Sequence, residues 1–196
     1  LAQNCYRQMF QECTSLVTIR EDLFPENISM TSSNECCREM FAKCTSLTHI
    51  PDLSSGELIY NCYYGMFQGC TSLVVPPELP STKLAGQCYY NMFSGCTSLQ
   101  TSPELPADIM FGQCYYQMFY GCSSLREAPE LPATTLATGC YYRMFQGCSS
   151  LTSMPDLLST DIRENCYREM FYNCTSLVNV SELPIKRDIA KYCYGG

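Results

Sequence analysis

Apolar and polar positions along this chain follow a pattern that returns about every 26 residues. A clear copy is CYYNMFSGCTSL, which runs from Cys88 to Leu99 and brackets a Met-Phe pair between two cysteines. The first cysteines of successive copies are 31, 26, 26, 26, 26, 26 and 27 residues apart. They are Cys5, Cys36, Cys62, Cys88, Cys114, Cys140, Cys166 and Cys193. A fixed period in the twenties is typical of solenoid proteins.

The segment between the two cysteines has the periodicity of a short helix. With residues placed at intervals of about 100°, one apolar arc forms. It contains Cys88, Tyr89, Met92, Phe93 and Cys96. The sequence therefore predicts a short helix with this arc inward and the second tyrosine outward. Glycine precedes the second cysteine in four copies, which suits the left-handed residue that ends many helices; these are Gly69, Gly95, Gly121 and Gly147.

The second half of each copy predicts a short strand. It starts after the second cysteine, as in Cys70-Thr-Ser-Leu73, and ends in a Glu-Leu-Pro turn at Pro80. Short apolar runs bounded by proline are typical of brief strands followed by turns. A further apolar residue lies four places before the next cysteine, at Leu58, Leu84, Met110, Leu136, Ile162 and Ile189.

One strand and one helix per copy cannot bury their apolar faces alone, whereas stacked copies form a continuous core. We therefore predict an α/β repeat fold in which residues 1–196 form one solenoid of about seven coils, with a partial coil from Cys193. The long first step predicts a loop at residues 27–34, and the extra residue of the last step falls near Lys186. Because the first and last copies are incomplete, we expect the chain to be a piece of a longer protein.

The predicted structural core consists of the two cysteines, the methionine and the phenylalanine of each central copy. Its members are Cys62, Met66, Phe67, Cys70, Cys88, Met92, Phe93, Cys96, Cys114, Met118, Phe119, Cys122, Cys140, Met144, Phe145 and Cys148.

These repeats resemble the leucine-rich repeats of BspA-like proteins, the Treponema pallidum type. The resemblance lies in Cys70-Thr-Ser-Leu73, Leu79-Pro80, Leu84 and Met92-Phe93-Ser-Gly-Cys96, and its copies cover nearly the whole chain. The chain departs from the pattern by a longer period, by Met where Ala is usual and by an added cysteine before the predicted helix. The resemblance implies a right-handed, curved solenoid of a secreted bacterial surface protein, with a role in adhesion or host-protein binding.

The charge of the chain excludes some partners. The formal net charge is −7, without a basic cluster, which argues against nucleic acid because phosphate binding needs a positive surface. No apolar run reaches the roughly 20 residues that span a bilayer, so we expect no direct membrane insertion in this segment. The first residues lack the charged and apolar regions of a signal peptide, so we expect none in this segment. The expected extracellular or cell-surface location therefore rests on the family resemblance.

The sixteen cysteines allow three interpretations. Zinc sites need closely spaced Cys or His ligands, whereas the spacing here is wide and His49 is the single histidine. A disulfide between Cys88 and Cys96, and likewise in other copies, is opposed by the rise of about 12 Å over eight helical residues. Buried thiols acting as small apolar groups are the third interpretation, and Cys37, which replaces the inward tyrosine, favours it. Thiols and disulfides both stay open at this stage, and we expect no metal and no cofactor.

Two sets of outward positions are candidate binding surfaces. The second tyrosine of four copies forms a row, and tyrosine is common in binding surfaces because it offers a large amphipathic area. The alternative is that the row only stacks on itself. The most variable positions of the predicted strand lie on the concave face of such solenoids. The two sets are Tyr64, Tyr90, Tyr116 and Tyr142, and Val75, Thr101, Glu127, Ser153 and Asn179.

Other repeated polar residues have simpler explanations. Serine and threonine after the second cysteine are expected to satisfy backbone groups, because one histidine cannot activate a nucleophile in every copy. One acidic residue precedes the last leucine of each predicted strand, and a weak calcium site is the alternative to exposed carboxylates. These residues are Asp52, Glu78, Glu104, Glu130, Asp156 and Glu182.

The expected function is that of an extracellular binding or adhesion module of a bacterial cell-surface protein. Its partner would be a host or bacterial surface protein or a glycan. The alternative is a passive stalk that has no ligand of its own. We expect no enzyme activity, because no group of catalytic residue types interrupts the repeat.

Overall fold

The computed structural model describes residues 4, 6–23, 34–53 and 58–184. In them the copies stack as successive coils, so that equivalent residues of neighbouring coils pack on one another. One phenylalanine per coil forms a continuous stack from Phe10 to Phe171, with ring centroids 5.3–5.9 Å apart. Most of the predicted loop at 27–34, as well as Cys5, Lys186, Ile189 and Cys193, lies outside the described residues.

Regular elements in the described residues are few and short. One 3-10 helix covers Glu21–Leu23. Four strands of two residues follow: β1 Lys83–Leu84, β2 Ile109–Met110, β3 Thr135–Leu136 and β4 Asp161–Ile162. β1 pairs with β2 and β3 with β4, both in parallel. In each strand the first residue is exposed and the second is buried, so the strands form one wall of the apolar core.

The strand of each coil lies later in the copy than the sequence predicts. It coincides with the apolar residue four places before the next cysteine, at Leu84, Met110, Leu136 and Ile162. The predicted location after the second cysteine has only isolated parallel bridges, as between Ser153 and Asn179. Prolines in that part of the coil explain the difference, because proline cannot donate a ladder hydrogen bond.

The predicted helix is wrong: the described residues contain no α-helix, and the segment between the cysteines is a series of turns. Its backbone has positive φ at every fourth residue, as at Gln87, Asn91 and Gly95. Left-handed residues at this interval interrupt an α-helix. Positive φ at the third residue is the mark of a type II turn, and the segments 89–92 and 93–96 both have it.

Hydrogen bonds of this turn segment alternate between its own coil and the next coil. The N–H groups of Met92 and Cys96 donate to carbonyls three residues earlier, at 3.2 Å and 3.0 Å. The N–H groups of Asn91 and Phe93 donate to carbonyls of the following coil, at 2.9 Å in both cases. Because half of these donors need a neighbouring coil, one copy cannot satisfy its backbone alone.

Burial follows a period of four within the turn segment. Cys88, Met92, Phe93 and Cys96 have no exposed surface, and the four residues of each central coil predicted to form the core are all buried in the same way. Residues between them, such as Asn91 and Ser94, are half-buried. The inward arc therefore exists, although turns rather than a helix produce it.

Replacing Gly121 with alanine is expected to destabilise the chain by about 1–2 kcal/mol, because φ is +71° there and an L-residue is strained in that region. A Cβ atom at this position would meet no heavy atom within 4 Å, so the cost comes from the backbone alone. Urea unfolding measures the change. In a helix the same substitution would instead stabilise by about 0.5–1 kcal/mol.

The matched control is Gln117→Gly, at a position with φ of +52° in the same coil. A helix predicts a loss of stability of about 1 kcal/mol for this change. Relief of the left-handed strain offsets that loss in the turn segment. Destabilisation by Gln117→Gly together with stabilisation by Gly121→Ala would contradict the turns.

Candidate functional site

The cysteine thiols connect neighbouring coils through backbone carbonyls. Cys96 Sγ donates to the carbonyl oxygen of Phe67 in the preceding coil at 3.1 Å, and that oxygen also accepts the N–H of Cys70 at 3.1 Å. The same Sγ contact, at 3.1–3.2 Å, recurs for Cys44, Cys70, Cys122, Cys148 and Cys174. Each thiol is therefore both a small apolar filler and a weak donor.

None of the fourteen described cysteines is in a disulfide, so none of the pairings within a copy forms among them. Thirteen of the fourteen are buried, and Cys13 is exposed. Cys37 is one of the buried cysteines and occupies the inward tyrosine position, as expected for a space-filling thiol.

Burial changes the chemistry of these thiols. It raises the pKa of Cys96 and of Cys140 to about 12, because the charged thiolate loses its hydration inside the core. The pKa of Cys174, near the end of the described stack, is raised to about 11 for the same reason. A thiol that keeps its proton is a poor nucleophile, so these groups are unreactive in the folded chain.

Maleimide labelling of the folded chain at pH 8 is expected to modify Cys13 and to spare Cys96, Cys122 and Cys140. Mass spectrometry of the labelled peptides identifies each site, and labelling in urea is the control in which all cysteines react. Rapid modification of Cys122 without urea would contradict the buried ladder, because Cys122 has no exposed surface.

The tyrosine row is a closed stack on the outside of the turn segment. Rings of Tyr64, Tyr90, Tyr116 and Tyr142 lie nearly parallel, with centroids 4.6, 4.4 and 4.5 Å apart. Arg38 covers the ring at one end at 4.2 Å, and Arg143 lies 5.0 Å from the ring centroid at the other end. All ring faces therefore have protein neighbours, and the row offers edges and hydroxyls to solvent.

Partial burial also affects the hydroxyls of the row. It raises the pKa of Tyr90 well above its ordinary value, and the neighbouring phenol of Tyr116 adds to the effect. Both hydroxyls therefore keep their protons at neutral pH and serve as hydrogen-bond donors.

The variable column is the set Val75, Thr101, Glu127, Ser153 and Asn179. Four members are exposed and Ser153 is half-buried. The residues that directly precede the column members are connected between coils by a backbone hydrogen bond, as from Gln100 N–H to the Val74 carbonyl at 3.0 Å. The column therefore presents one side chain per coil at a regular spacing.

Repeated hydroxyls and the single histidine have structural partners. Thr71 Oγ1 donates to the Thr45 carbonyl at 3.4 Å, and Ser149 Oγ donates to the Ser123 carbonyl at 3.3 Å. His49 is exposed and lies 2.7 Å from a carboxylate oxygen of Glu21. None of these contacts forms an arrangement of nucleophile and base.

The acidic residues before the last leucine of each predicted strand form a row with one carboxylate per coil, which we call the acidic row. All six are exposed: Asp52, Glu78, Glu104, Glu130, Asp156 and Glu182. Among the described residues no lysine or arginine forms a salt bridge with the acidic row. Its central members line two adjoining depressions of about 370 Å³ and about 510 Å³. We call these depressions together the acidic groove; Ser102, Pro103 and Glu104 line both of them.

Sequence reasoning missed a depression of about 530 Å³ on another side of the coils. Gly86 and Gly112 take equivalent places in two neighbouring coils, where the flanking coils have Tyr60 and Thr138. Phe111 stands beside them with 64% of its surface exposed. The sequence does indicate this depression, because two successive copies have glycine at the position where the copy before them has the large side chain of Tyr60.

No group of three potential metal ligands is close together in the parts of the chain that the structure describes. In the same residues we find no helix of the length and apolarity that crossing a membrane requires.

Comparison with known proteins identifies a family. The family model described as BspA type Leucine rich repeat region matches in six copies, over residues 2–126 and 79–196. No curated protein and no solved structure matches the chain. Leucine-rich repeats are a non-enzymatic scaffold type for protein interaction, and the BspA type is associated with bacterial surface proteins. Because the matched ranges together cover nearly the whole sequence, the chain belongs to the BspA-type leucine-rich repeat family.

Proposed function

We propose that this chain is an extracellular binding module of a bacterial surface protein, with a host or bacterial surface protein or a glycan as its partner. In this proposal residues 1–196 belong to one right-handed, curved solenoid of about seven coils. The variable column and the tyrosine row lie on the surfaces that meet the partner. The chain acts by adhesion and not by catalysis.

One observation carries the proposal: the inward residues repeat almost unchanged while the exposed column differs in every coil. Val75, Thr101 and Glu127 are aliphatic, hydroxylic and acidic in consecutive coils, whereas the buried Cys, Met and Phe of the same coils are identical. A constant frame with changing exposed side chains is how solenoids present surfaces that select one partner. A passive spacer needs the frame but not the variation.

The tyrosine row has a limited part in this function. Its ring faces already contact each other or arginine, so a ligand ring cannot be stacked between them. Its hydroxyls are available at the partly buried edge of the row, where they can donate to a partner. We therefore expect the variable column to contribute more to affinity than the row.

The test is a binding screen of the purified chain against host extracellular proteins and a glycan array. Alanine replaces all five members of the variable column in one variant. We expect at least a ten-fold loss of affinity for the partner found, since binding energy concentrates in few exposed side chains.

The matched control changes one exposed residue per coil on another face of the stack, with Lys83, Ile109, Thr135 and Asp161 replaced by alanine. The control variant is expected to keep its affinity. A screen that finds no partner, or equal affinity for both variants, favours the passive stalk instead.

A further inference from the structure

The acidic groove adjoins the variable column. Val75 and Thr101 belong to the column and also line the first depression, which continues across Ser102 and Glu104 into the second. If a partner binds at the variable column, the neighbouring residues of that partner therefore reach the groove. The groove crosses three consecutive coils, and each of them contributes one glutamate.

Prolines make the wall of this groove rich in acceptors. Pro77, Pro103 and Pro129 take equivalent places in the three coils, and each lacks a backbone N–H. Among the described residues that line the groove, the charged side chains are all carboxylates, which accept hydrogen bonds and cannot donate them when ionised. Apart from the hydroxyls of Thr101 and Ser102, the side chains of this wall offer mainly acceptors, so a ligand rich in donors fits it best.

The charge of the groove also has no basic partner among the residues that the structure describes. Glu78, Glu104 and Glu130 are exposed and form no salt bridge with a described basic residue. Neighbouring coils stack at about the spacing of parallel strands, about 4.8 Å, so these carboxylates repel one another. A cationic ligand across the row relieves that repulsion.

From these observations we propose that the acidic groove binds an extended segment of a protein partner that is rich in arginine and lysine. This inference rests on the proposed binding function and names the chemistry of the partner. The fixed φ of the prolines holds the wall in place before binding, so little order is lost there when the segment docks. Arginine suits the groove best, because its planar guanidinium donates two parallel hydrogen bonds to a carboxylate.

The probe is a fluorescein-labelled peptide of about ten residues with alternating Arg and Ser, and fluorescence anisotropy measures its affinity for the full chain. Peptides with Glu or Gln in place of Arg are the negative controls. We expect binding by the Arg peptide alone, weakened several-fold between about 50 mM and about 300 mM NaCl because salt screens exposed charges.

Two variants with the same net charge locate the site. The groove variant combines Glu78→Gln, Glu104→Gln and Glu130→Gln, and the control combines Asp22→Asn, Asp161→Asn and Glu164→Gln at exposed positions elsewhere. Both change the formal net charge from −7 to −4, that is, by three. We expect at least a ten-fold loss of affinity in the groove variant and less than a two-fold loss in the control.

Single substitutions sharpen the assignment. Glu104 lines both depressions, whereas Glu78 and Glu130 each line one. Among the three singles, Glu104→Gln is therefore expected to weaken the peptide most. Equal losses in the groove and control triples would show attraction to the acidic protein as a whole and would overturn the proposal. Calcium binding that needs the three glutamates, without peptide binding, would overturn it in favour of a cation site.

The two proposals fail in different ways. A partner from the screen that loses affinity in the column variant but not in the groove variant supports the binding function and refutes the basic segment. Peptide binding at the groove without any partner in the screen supports the groove and refutes the proposed role of the variable column.

Discussion

Raising the pH to about 10 is expected to unfold this chain cooperatively, because its core contains protonated thiols that the unfolded chain would release as thiolates. Burial raises the pKa of seven of these thiols far above the ordinary value. They are Cys70, Cys88, Cys96, Cys114, Cys122, Cys140 and Cys148. For a group with a raised folded pKa, the stabilisation is complete below the unfolded pKa and decreases as the pH rises towards the folded one.

The size of the effect follows from linkage. Each such thiol loses about 1.4 kcal/mol of stabilisation per pH unit above its unfolded pKa of roughly 8.5–9. Seven of them lose on the order of 10 kcal/mol within about one unit, which equals the whole stability of a typical domain. The buried tyrosines, such as Tyr115, have raised pKa values as well and add to the loss at still higher pH.

Urea midpoints measured at intervals from pH 7 to pH 10, with a reductant present, check this expectation. Thiolate absorbance near 240 nm should rise together with the loss of far-ultraviolet circular dichroism, because the same transition exposes the thiols. Near pH 7, at the start of the series, nearly all of these groups keep their protons in both states, so the stability measured there serves as the internal control. Stability unchanged up to pH 10 contradicts a core of free thiols.

The inward side chains could be predicted from the sequence, but the element that holds them could not. Over the nine residues from Cys88 to Cys96, a period of 3.6 and a period of 4 place the same side chains on one face. The two periods place side chains in clearly different directions only over longer segments. The distinguishing signal was the polar or glycine residue before the first cysteine and at every fourth place after it, as at Gln113, Gln117 and Gly121, where φ is positive.

The strand was predicted at the wrong place for a related reason. Leu73 and Leu79 are buried as the residues of a strand face would be, and their apolar pattern led to the prediction of a strand there. The intervening prolines prevent a ladder there, whereas Leu84 and its neighbour Lys83 each have a backbone N–H and pair with the next coil. The repeat and the family could be predicted because they depend on spacing alone, and the location of hydrogen bonds could not.

The groove and the closed tyrosine row depend on distances between coils, which no pattern within one copy provides. The sequence showed that one carboxylate and one tyrosine recur per copy. It could not show that Arg38 covers the end of the row, because that arginine comes from the preceding copy. Nor could it show that Pro103 and Glu104 line two depressions at once.

Replacing Phe119 with alanine is expected to destabilise the chain by about 3–5 kcal/mol, the usual cost of removing a buried phenylalanine. Phe119 has no exposed surface and lies between Phe93 at 5.7 Å and Phe145 at 5.6 Å. Its removal leaves a cavity in the middle of the stack, which the hydrogen bonds between coils prevent from closing. Urea unfolding followed by circular dichroism gives the change in free energy.

Phe111→Ala is the matched control, since it removes the same side chain from the preceding coil at a position with 64% of its surface exposed. We expect a change within about 0.5 kcal/mol there. Because each coil contacts only its neighbours, the cavity at Phe119 also weakens the coupling between the two halves of the stack. Unfolding of Phe119→Ala in two steps would reveal that loss of coupling, and equal effects of the two substitutions would contradict the phenylalanine stack as the core.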